Sequence, residues 1–464
     1  MTALDTAVLL GVLLVAALVV SARSDRRWLR RGVIAVAVLA ALQWLLEGVY
    51  WHFWPAYALL LAVARIAFLQ QPPARASRLA RAALGALAFL TLLPWLVFLP
   101  VPELARPGGP YAVGTLVFRW IDPTRPETRT DAPDDLRNVV VQAWYPAAAG
   151  AHGSRAPYID GIGHLPRFVS LFPGLAMAYY DRIDTHAVGG ALPAPQRSRW
   201  PVVVFSPGYG APRAFYTGLV TDLASRGFVV LAVDHPYEVA VTELVGGRIA
   251  TAIERIPSGH GGWTEYMTRQ QGVRTADLRF VLDRIAQPGS LGTLSGHLDL
   301  DHVASVGHSF GGAAAVQSMA DDPRIAAAAN IDGTLYGALP EQHLPRPVLL
   351  LESDRQETGH SPAYVTGNQR LLHNRRAAAY RFEIHAANHF SFTDGPLFFS
   401  PPARLALALC IGGSRGVEDT QRAAIDILAA FLATSLGLSP ADVEAAAARH
   451  GNITGGRVPA STAP

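Results

Sequence analysis

The hydrophobic pattern divides the chain near residue 102. Before that point, four stretches are almost entirely apolar and lack a polar face: Thr6–Ala22, Gly32–Leu46, Trp54–Leu69 and Ala82–Val101. A helix needs about 20 apolar residues to cross the hydrocarbon core of a bilayer, and each stretch is at the short end of that range. Buried helices of a soluble protein would carry polar faces. We therefore expect residues 1–102 to form an all-α membrane anchor of four transmembrane helices.

Basic residues predict the orientation of this anchor. The first and third loops are rich in arginine, whereas the second, Glu47–Phe53, has no basic residue. The arginines are Arg23, Arg26, Arg27, Arg30 and Arg31 in the first loop and Arg75, Arg78 and Arg81 in the third. Cytoplasmic loops retain basic residues, so both termini are expected outside the cytoplasm. A cleaved signal peptide is the alternative for the first stretch, but no basic region precedes it.

From Pro110 onward, short apolar runs alternate with helical patterns. The expected strands are Tyr111–Ile121, Asn138–Tyr145, Val202–Phe205, Val229–Val233, Val303–Val306, Ala326–Ile331, Val348–Leu351 and Tyr380–Ile384. The expected helices are Ala214–Arg226, Trp263–Ala286, Ala313–Ala320, Tyr364–Ala379 and Thr420–Leu436. This alternation predicts a mainly parallel sheet with both faces covered, and the first two strands predict an antiparallel hairpin at its edge. We assign residues 103–439 to this second, α/β domain.

Two segments do not follow the alternation. Ala147–Gln196 is a long insertion that carries several apolar and aromatic residues, and it could form a lid, an acyl-binding wall or ordinary packing over the sheet edge. Residues 440–464 are expected to form a tail outside the core, with Gly451–Pro464 disordered.

Composition narrows the possible functions. Half of the residues are hydrophobic and only 16% are charged, which is apolar for a soluble protein and fits a membrane portion. The single cysteine, Cys410, excludes an internal disulfide and any cysteine-based zinc site. The net charge of +3 conceals an excess of arginine before residue 102, and nothing in the charge pattern suggests a nucleic-acid partner.

A serine motif follows one of the expected strands. The sequence Val306-Gly307-His308-Ser309-Phe310-Gly311-Gly312 contains G-x-S-x-G between the strand Val303–Val306 and a helix. Glycines on both sides allow a turn so tight that the Ser309 side chain projects alone, at a helix N-terminus whose N–H groups can hold an oxyanion. A glycine-rich turn with a capping serine is the alternative. The strand before the motif and the helix after it favour a catalytic serine and an α/β-hydrolase fold.

A serine hydroxyl needs a base and an acid that orients the base, and in this fold they follow the serine in the order acid, then histidine. His389 follows the last expected strand, where the fold delivers its base, and His385 is the rival. Two acids compete: Asp332 follows Ala326–Ile331, and Asp354 follows the next strand, which is the commoner position. Spacing does not decide between them.

Two backbone N–H groups are candidates for the oxyanion hole. One belongs to Phe310, the residue after the nucleophile. The other is expected in the loop after the third strand, Phe205-Ser206-Pro207-Gly208-Tyr209-Gly210, where glycines let the backbone approach a substrate. Tyr209 N–H is the best-placed donor of that loop.

These motifs resemble those of the platelet-activating-factor acetylhydrolase family of serine lipases, and of bacterial hydrolases related to it and to dienelactone hydrolase. The resemblance rests on the loop before Tyr209, the Ser309 motif, Ile331-Asp332-Gly333 and His389-Phe390-Ser391-Phe392, and it spans most of residues 110–400. It implies Asp332 as the acid, Tyr209 and Phe310 as oxyanion residues, and neither a metal nor a cofactor. The family often has histidine at the position of Pro207; this departure leaves the backbone donor in place, but the family's substrate preference does not carry over.

We therefore expect a membrane-anchored serine hydrolase that cleaves a small ester or phospholipid through an acyl-enzyme on Ser309. Its catalytic domain would lie outside the cytoplasm of a bacterial cell, joined to the anchor by a short tether, and the bilayer would be its partner. An acyltransferase would use the same residues. A non-catalytic membrane receptor or scaffold is disfavoured, because a binding module has no need of Ser309, Asp332, His389 and the glycine loop together.

Overall fold

The computed structural model describes residues 2–21, 25–48, 51–68, 78–99, 101–160, 168–169, 172–173, 178–253 and 260–459. The chain divides into two compact units. The first comprises Met1–Pro102 with the short later segments Leu175–Tyr179 and Phe398–Ala403. The second comprises Glu103–Gly174, Tyr180–Leu397 and Arg404–Pro464.

Four helices form the first unit: α1 (Ala3–Val20), α2 (Arg26–Leu46), α3 (Trp54–Phe68) and α4 (Arg78–Val97). All four regions are long and apolar enough to cross a membrane, with mean hydropathy between 1.2 and 2.6. Their inward residues, such as Val12, Val33 and Val63, form one apolar cluster, while Leu61 and other large apolar side chains face outward. Helices that are apolar on all sides are typical of membrane spans.

The second helix begins earlier than its apolar run predicts. Arg26 to Arg31 were expected in a loop, but they form the first turns of α2, which Asp25 caps by accepting from Arg27 N–H. The Arg26 and Arg30 side chains both donate to the carbonyl oxygen of Ala67, at 2.9 and 3.0 Å. The last carbonyls of a helix such as α3 have no N–H donor within their own helix, so these arginines supply the missing donors at its C-terminus.

Fourteen strands are found among the described residues of the second unit. They are β1 (Ala112–Pro126), β2 (Leu136–Ala147), β3 (Phe168–Val169), β4 (Phe172–Pro173), β5 (Ala187–Gly189), β6 (Trp200–Ser206), β7 (Val229–Asp234), β8 (Val241–Glu243), β9 (Ile249–Thr251), β10 (Leu298–His308), β11 (Ile325–Ile331), β12 (Val348–Ser353), β13 (Ala379–Ile384) and β14 (Ile453–Val458). Ten form one sheet, in the order β14-β13-β12-β11-β10-β6-β7-β2-β1-β5. Strands β7, β6 and β10 to β13 run parallel, and β1 and β2 form the expected antiparallel hairpin.

Helices cover both faces of this sheet. The later helices are α5 (Thr217–Ser225), α6 (His260–Ile285), α7 (Phe310–Asp321), α8 (Arg355–Thr358), α9 (Pro362–Asn374), α10 (Pro401–Ala406), α11 (Ala408–Ile411), α12 (Val417–Ser435) and α13 (Val443–Ala448). Strand β6 shows how the core is divided: Val203 and Phe205 pack with residues of α5 and α12, and Val202 and Val204 pack with residues of α6 and α7. Alternate side chains of a strand point to opposite faces, which is why these strands are apolar throughout. The predicted α/β-hydrolase fold is confirmed.

The C-terminal region differs from the expectation. Gly451–Pro464 was expected to be disordered, but Ile453–Val458 forms β14, which pairs antiparallel with β13 at one edge of the sheet. Glycines are depleted in strands, so Gly455 and Gly456 made this segment look unlike a strand in the sequence. Gly455 has a φ of +118°, and a Cβ there would lie 2.0 Å from the carbonyl oxygen of Arg381, so only glycine fits the pairing.

The insertion at Ala147–Gln196 is described only in part. Residues 161–167, 170–171 and 174–177, which carry much of the expected apolar wall, lie outside the described residues. At its far end, β5 pairs parallel with β1 and extends the other edge of the sheet. This end of the insertion therefore packs at the sheet edge, which is one of the three interpretations of the sequence.

Candidate active site

The serine motif forms a sharp turn between β10 and α7. Ser309 adopts φ 55° and ψ −127°, a strained combination for a residue with a side chain. A Cβ on Gly307 would lie 2.2 Å from the carbonyl oxygen of Gly311, and one on Gly311 would lie 2.0 Å from that of Ser206. The two glycines are therefore required by contact between backbones, and Ser309 is partly exposed at the top of the sheet.

The structure brings Ser309, His389 and Asp332 together. The Ser309 hydroxyl lies 2.9 Å from His389 Nε2, and His389 Nδ1 lies 2.7 Å from Asp332 Oδ2. His389 begins a short 3-10 helix, His389–Phe392, that Asn388 caps by accepting from Phe390 N–H. In this arrangement His389 donates through Nδ1 and accepts the serine proton at Nε2. A serine hydroxyl hydrogen-bonded to such a base can act as a nucleophile.

Asp332 is buried and accepts several further hydrogen bonds. Ser353 donates to it through its backbone N–H at 2.9 Å and its hydroxyl at 2.8 Å, and His360 Nε2 and Tyr364 OH lie 2.9 and 3.2 Å from its Oδ1. Burial alone would raise its pKa, but the hydrogen bonds from His360 and His389 outweigh that cost and hold the pKa of Asp332 well below the ordinary value. The carboxyl is therefore ionised at neutral pH.

The rival residues lie apart from Ser309 and have structural partners. Asp354 caps α8 by accepting from Gln356 N–H and also accepts from Ala386 N–H at 2.7 Å. His385 Nε2 lies 2.8 Å from the Thr454 hydroxyl of β14. Among the described residues, Asp354, Glu383 and His385 form a group whose potential ligand atoms lie within 4.8 Å of one another, close enough to hold a metal ion. None of these three atoms contacts the Ser309–His389 pair.

Both predicted oxyanion donors are free. Tyr209 lies in the loop after β6, and Phe310 is the first residue of α7. Within the described part of the chain, neither backbone N–H has a hydrogen-bond acceptor. Aromatic side chains surround these two residues: the Phe310 ring contacts Tyr209 and Tyr336 edge-on, and the Tyr209 hydroxyl lies 3.1 Å from that of Tyr266. A negatively charged oxygen beside Ser309 could thus accept hydrogen bonds from the N–H groups of Tyr209 and Phe310, with aromatic side chains around it.

His308 and Tyr216 are among the site residues that the sequence analysis missed. His308 is buried beside His389, with ring centres 4.6 Å apart, and burial lowers its pKa to about 3, so it is neutral. Its Nε2 donates to the backbone carbonyl of His389 at 2.9 Å, and its Nδ1 accepts from the Tyr216 hydroxyl at 2.8 Å. His308 thus fixes the backbone of the base. Its position next to Ser309 was the one available signal, whereas nothing in the spacing of Tyr216 indicated a role.

His360 lies between α8 and α9 and contacts Asp332, although no sequence motif singled it out. Its ring stacks on that of Tyr364 at 4.0 Å with an interplanar angle of 4°, and both side chains reach the same carboxylate oxygen. The contact joins residues 28 positions apart through the packing of α9, so no sequence pattern would reveal it.

Comparisons with known proteins identify a family for this chain. The family model "Platelet-activating factor acetylhydrolase, isoform II" matches residues 103–258 and 276–451. A probable 1-alkyl-2-acetylglycerophosphocholine esterase from Arthroderma benhamiae is 25% identical over 355 residues, covering 70% of this chain and 81% of the relative. A platelet-activating factor acetylhydrolase from Cavia porcellus is 24% identical, covering 62% and 69%. A solved structure of a ferulic acid esterase from Streptomyces cinnamoneus is 31% identical with a TM-score of 0.64, covering 76% of this chain and 99% of that one.

Proposed function

Because the chain belongs to the platelet-activating factor acetylhydrolase, isoform II, family and is a serine ester hydrolase, we propose that Ser309, His389 and Asp332 form its catalytic triad. The observation that carries this proposal is the continuous pair of hydrogen bonds from Ser309 to His389 and from His389 to Asp332. Tyr209 and Phe310 would supply the oxyanion hole through their free N–H groups.

Each step of hydrolysis has a group to perform it. Ser309 Oγ attacks the ester carbonyl while its proton passes to His389 Nε2, and the ionised Asp332 stabilises the resulting imidazolium. The carbonyl oxygen becomes an oxyanion held by Tyr209 N–H and Phe310 N–H. The intermediate collapses, and the alcohol leaves with the proton from His389. A water molecule then gives a proton to His389 and attacks the acyl-enzyme, which releases the acid and restores Ser309.

We propose an apolar ester as the substrate, either a phospholipid with a short acyl chain or a related lipid ester. The names of the Arthroderma benhamiae and Cavia porcellus relatives support this class. The aromatic residues around Tyr209 and Phe310 support an apolar substrate but also suit an aryl ester, the class named for the Streptomyces cinnamoneus enzyme. Parallel assays with a 2-acetyl phospholipid, p-nitrophenyl acetate and a feruloyl ester would separate these possibilities by their kcat/KM values.

We further propose that the four N-terminal helices anchor the enzyme in a membrane with the hydrolase outside the cytoplasm. Their length and hydropathy support spanning, and the arginines in the first turns of α2 and α4 and in the sequence just before them support this orientation. An enzyme held in a bilayer encounters lipid esters at high local concentration, which agrees with the proposed substrate.

Replacement of the nucleophile tests the proposed function. Ser309→Ala should abolish hydrolysis and labelling by a fluorophosphonate probe, because loss of a triad serine typically costs on the order of a million-fold in kcat. Ser305→Ala is a matched control, since Ser305 lies on β10, the strand that leads to Ser309, and its hydroxyl has no hydrogen-bond partner within the described residues. Activity of Ser309→Ala within tenfold of the wild-type value would refute the assignment.

A further inference from the structure

A buried arginine lies directly beneath the loop that carries Tyr209. Arg274 belongs to α6 and is 0% exposed. Its guanidinium donates to the carbonyl oxygens of Pro207 and Gly208, the latter at 3.1 Å. It also lies over the ring of Phe310, with Cζ 4.7 Å from the ring centre. Arg274 therefore contacts both segments that supply the oxyanion donors.

The contact with Gly208 bears on Tyr209 because the two residues share a peptide group. The Gly208 carbonyl and the Tyr209 N–H lie in one plane and point in opposite directions. Fixing the carbonyl toward Arg274 therefore fixes the N–H toward the opposite side. A cationic donor on the carbonyl also polarises the peptide and strengthens the hydrogen bond that its N–H can give. At the other end of residue 208, its own N–H donates to the Tyr216 hydroxyl at 2.9 Å.

Arg274 is itself held by buried partners. Its Nε donates to Glu238 at 2.9 Å, and a terminal nitrogen donates to the Ser206 hydroxyl at 3.1 Å. Burial of an arginine without a carboxylate would be very costly, and Glu238 supplies the opposite charge. The guanidinium thus has a defined position from which to hold the loop.

The Ser206 contact extends into a second serine–histidine–aspartate arrangement. Ser206 Oγ lies 2.9 Å from His235 Nε2, and His235 Nδ1 lies 2.8 Å from Asp277. All three side chains are buried, so a substrate has no access to them. Burial and the nearby Arg274 lower the pKa of His235, so it is neutral. It donates through Nδ1 to Asp277 and accepts from the Ser206 hydroxyl, whose oxygen is left to accept from Arg274. The His235–Asp277 pair thus fixes the Ser206 hydroxyl, which in turn holds the Arg274 guanidinium in place.

We propose that Arg274 is a positioning residue for ester hydrolysis, which holds the Gly208–Tyr209 peptide so that Tyr209 N–H faces the oxyanion. The inference rests on the proposed function, in which this N–H is an oxyanion donor. Residue 274 lies between the two stretches matched by the family model, so the family match assigns it no role. The effect of Arg274 is exerted through the backbone, because its side chain is buried beneath the loop.

The test compares Arg274→Met with the wild-type full-length protein in detergent. Removal of one oxyanion donor costs about 10²–10³ in kcat, and loss of its positioning should cost roughly tenfold to a hundredfold. KM for p-nitrophenyl acetate should change less than about threefold, since the donor acts mainly on the transition state. A trifluoromethyl ketone forms a hemiketal oxyanion on serine, so its affinity should fall by the same factor as kcat/KM. A loss of folded protein alone would not lower ketone affinity together with kcat/KM.

Arg346→Met is the matched control. Arg346 likewise donates to backbone carbonyls, those of Met319, Asp322 and Ile325, but at the end of α7 remote from the oxyanion loop. It should lower stability while kcat and ketone affinity stay within about threefold of the wild-type values. If Arg274→Met does not fold, Arg274→Lys is measured by the same criteria, because a single ammonium lacks the fork that reaches both carbonyls and Glu238.

Three results would overturn the inference. One is a kcat within threefold of wild type in the Arg274 variant that folds. Another is a fall in kcat/KM without the matching fall in ketone affinity. The third is an equal loss of both quantities in Arg346→Met. The Ser309→Ala variant distinguishes failure of this inference from failure of the proposed function. If Ser309→Ala is inactive and the Arg274 variant is unaffected, only the role of Arg274 is rejected. If Ser309→Ala is active, the proposed triad is rejected.

Discussion

At the scale of single residues, the folded chain places the carboxylate of Asp332, and not that of Asp354, against His389. Asp332 has a φ of +54°, a conformation that aspartate tolerates better than most residues, and this turns its carboxylate toward His389. Asp354, one strand further on, is engaged as a helix cap. The two acids have the same chemistry and comparable places in the sequence. They differ in their partners, which are His389 for Asp332 and backbone N–H groups for Asp354.

Substitution of the two acids tests this distinction. Asp332→Asn should lower kcat by on the order of ten thousand-fold, the size of effect found when a triad acid becomes an amide and the histidine takes the wrong tautomer. Asp354→Asn should change kcat by less than about tenfold, because asparagine is also a good helix cap. Steady-state kinetics on both purified variants would measure the difference, and a larger loss in Asp354→Asn would contradict the assignment.

At the scale of elements, strand β14 shows how the tail completes the hydrolase. It pairs along the whole of β13 and occupies an edge of the sheet, next to the strand that leads to His389. An unpaired edge strand exposes backbone donors and acceptors and promotes aggregation. Strand β14 therefore covers the edge of the sheet next to the strand that leads to His389, the proposed base.

Truncation tests the contribution of this strand. A chain that ends after His450 loses β14 but keeps α13, and its melting temperature in detergent should fall by roughly 5 °C or more because β13 becomes an edge. A chain that ends after Pro459 keeps the strand and serves as the control. Melting of the shorter chain within about 1 °C of full length would show that β14 contributes little.

At the scale of the whole molecule, an apolar four-helix unit is joined to an enzyme whose candidate site is complete within the second unit. Ser309, Asp332, His389, Tyr209 and Phe310 all belong to that unit. The four-helix unit contributes none of these five residues, and its proposed role is to place the enzyme at a membrane.

Fusions test the proposed orientation. Alkaline phosphatase, which is active only outside the cytoplasm, should be active when fused after Pro464 and inactive when fused within the third loop, because arginines are strongly disfavoured in a translocated loop. Protease added to intact spheroplasts should digest the hydrolase. An inactive C-terminal fusion with a protected hydrolase would mean that one of the four helices does not span, and the lipid-ester proposal would lose its main support.

The sequence by itself determined the features that depend on local patterns. Continuous apolar runs predicted the four helices and the buried parallel strands, because lipid and a doubly covered sheet both exclude polar side chains. The motif around Ser309 predicted the elbow, since the backbone contacts of Gly307 and Gly311 leave no room for a Cβ. The positions of His389 and Tyr209 after particular strands made them candidates for the base and for an oxyanion donor. The preference for Asp332 came from the family resemblance, not from spacing.

Only the tertiary structure decided the features that depend on which distant residues meet. The hydrogen bonds of His308, His360 and Arg274 connect residues that lie far apart in the sequence, and no periodicity encodes such contacts. Strand β14 was hidden for a related reason: its glycines give no hydrophobic alternation, and it forms because the edge of β13 offers backbone partners. Local patterns fix what each segment becomes, whereas the partners of a buried polar group are fixed only when the segments pack.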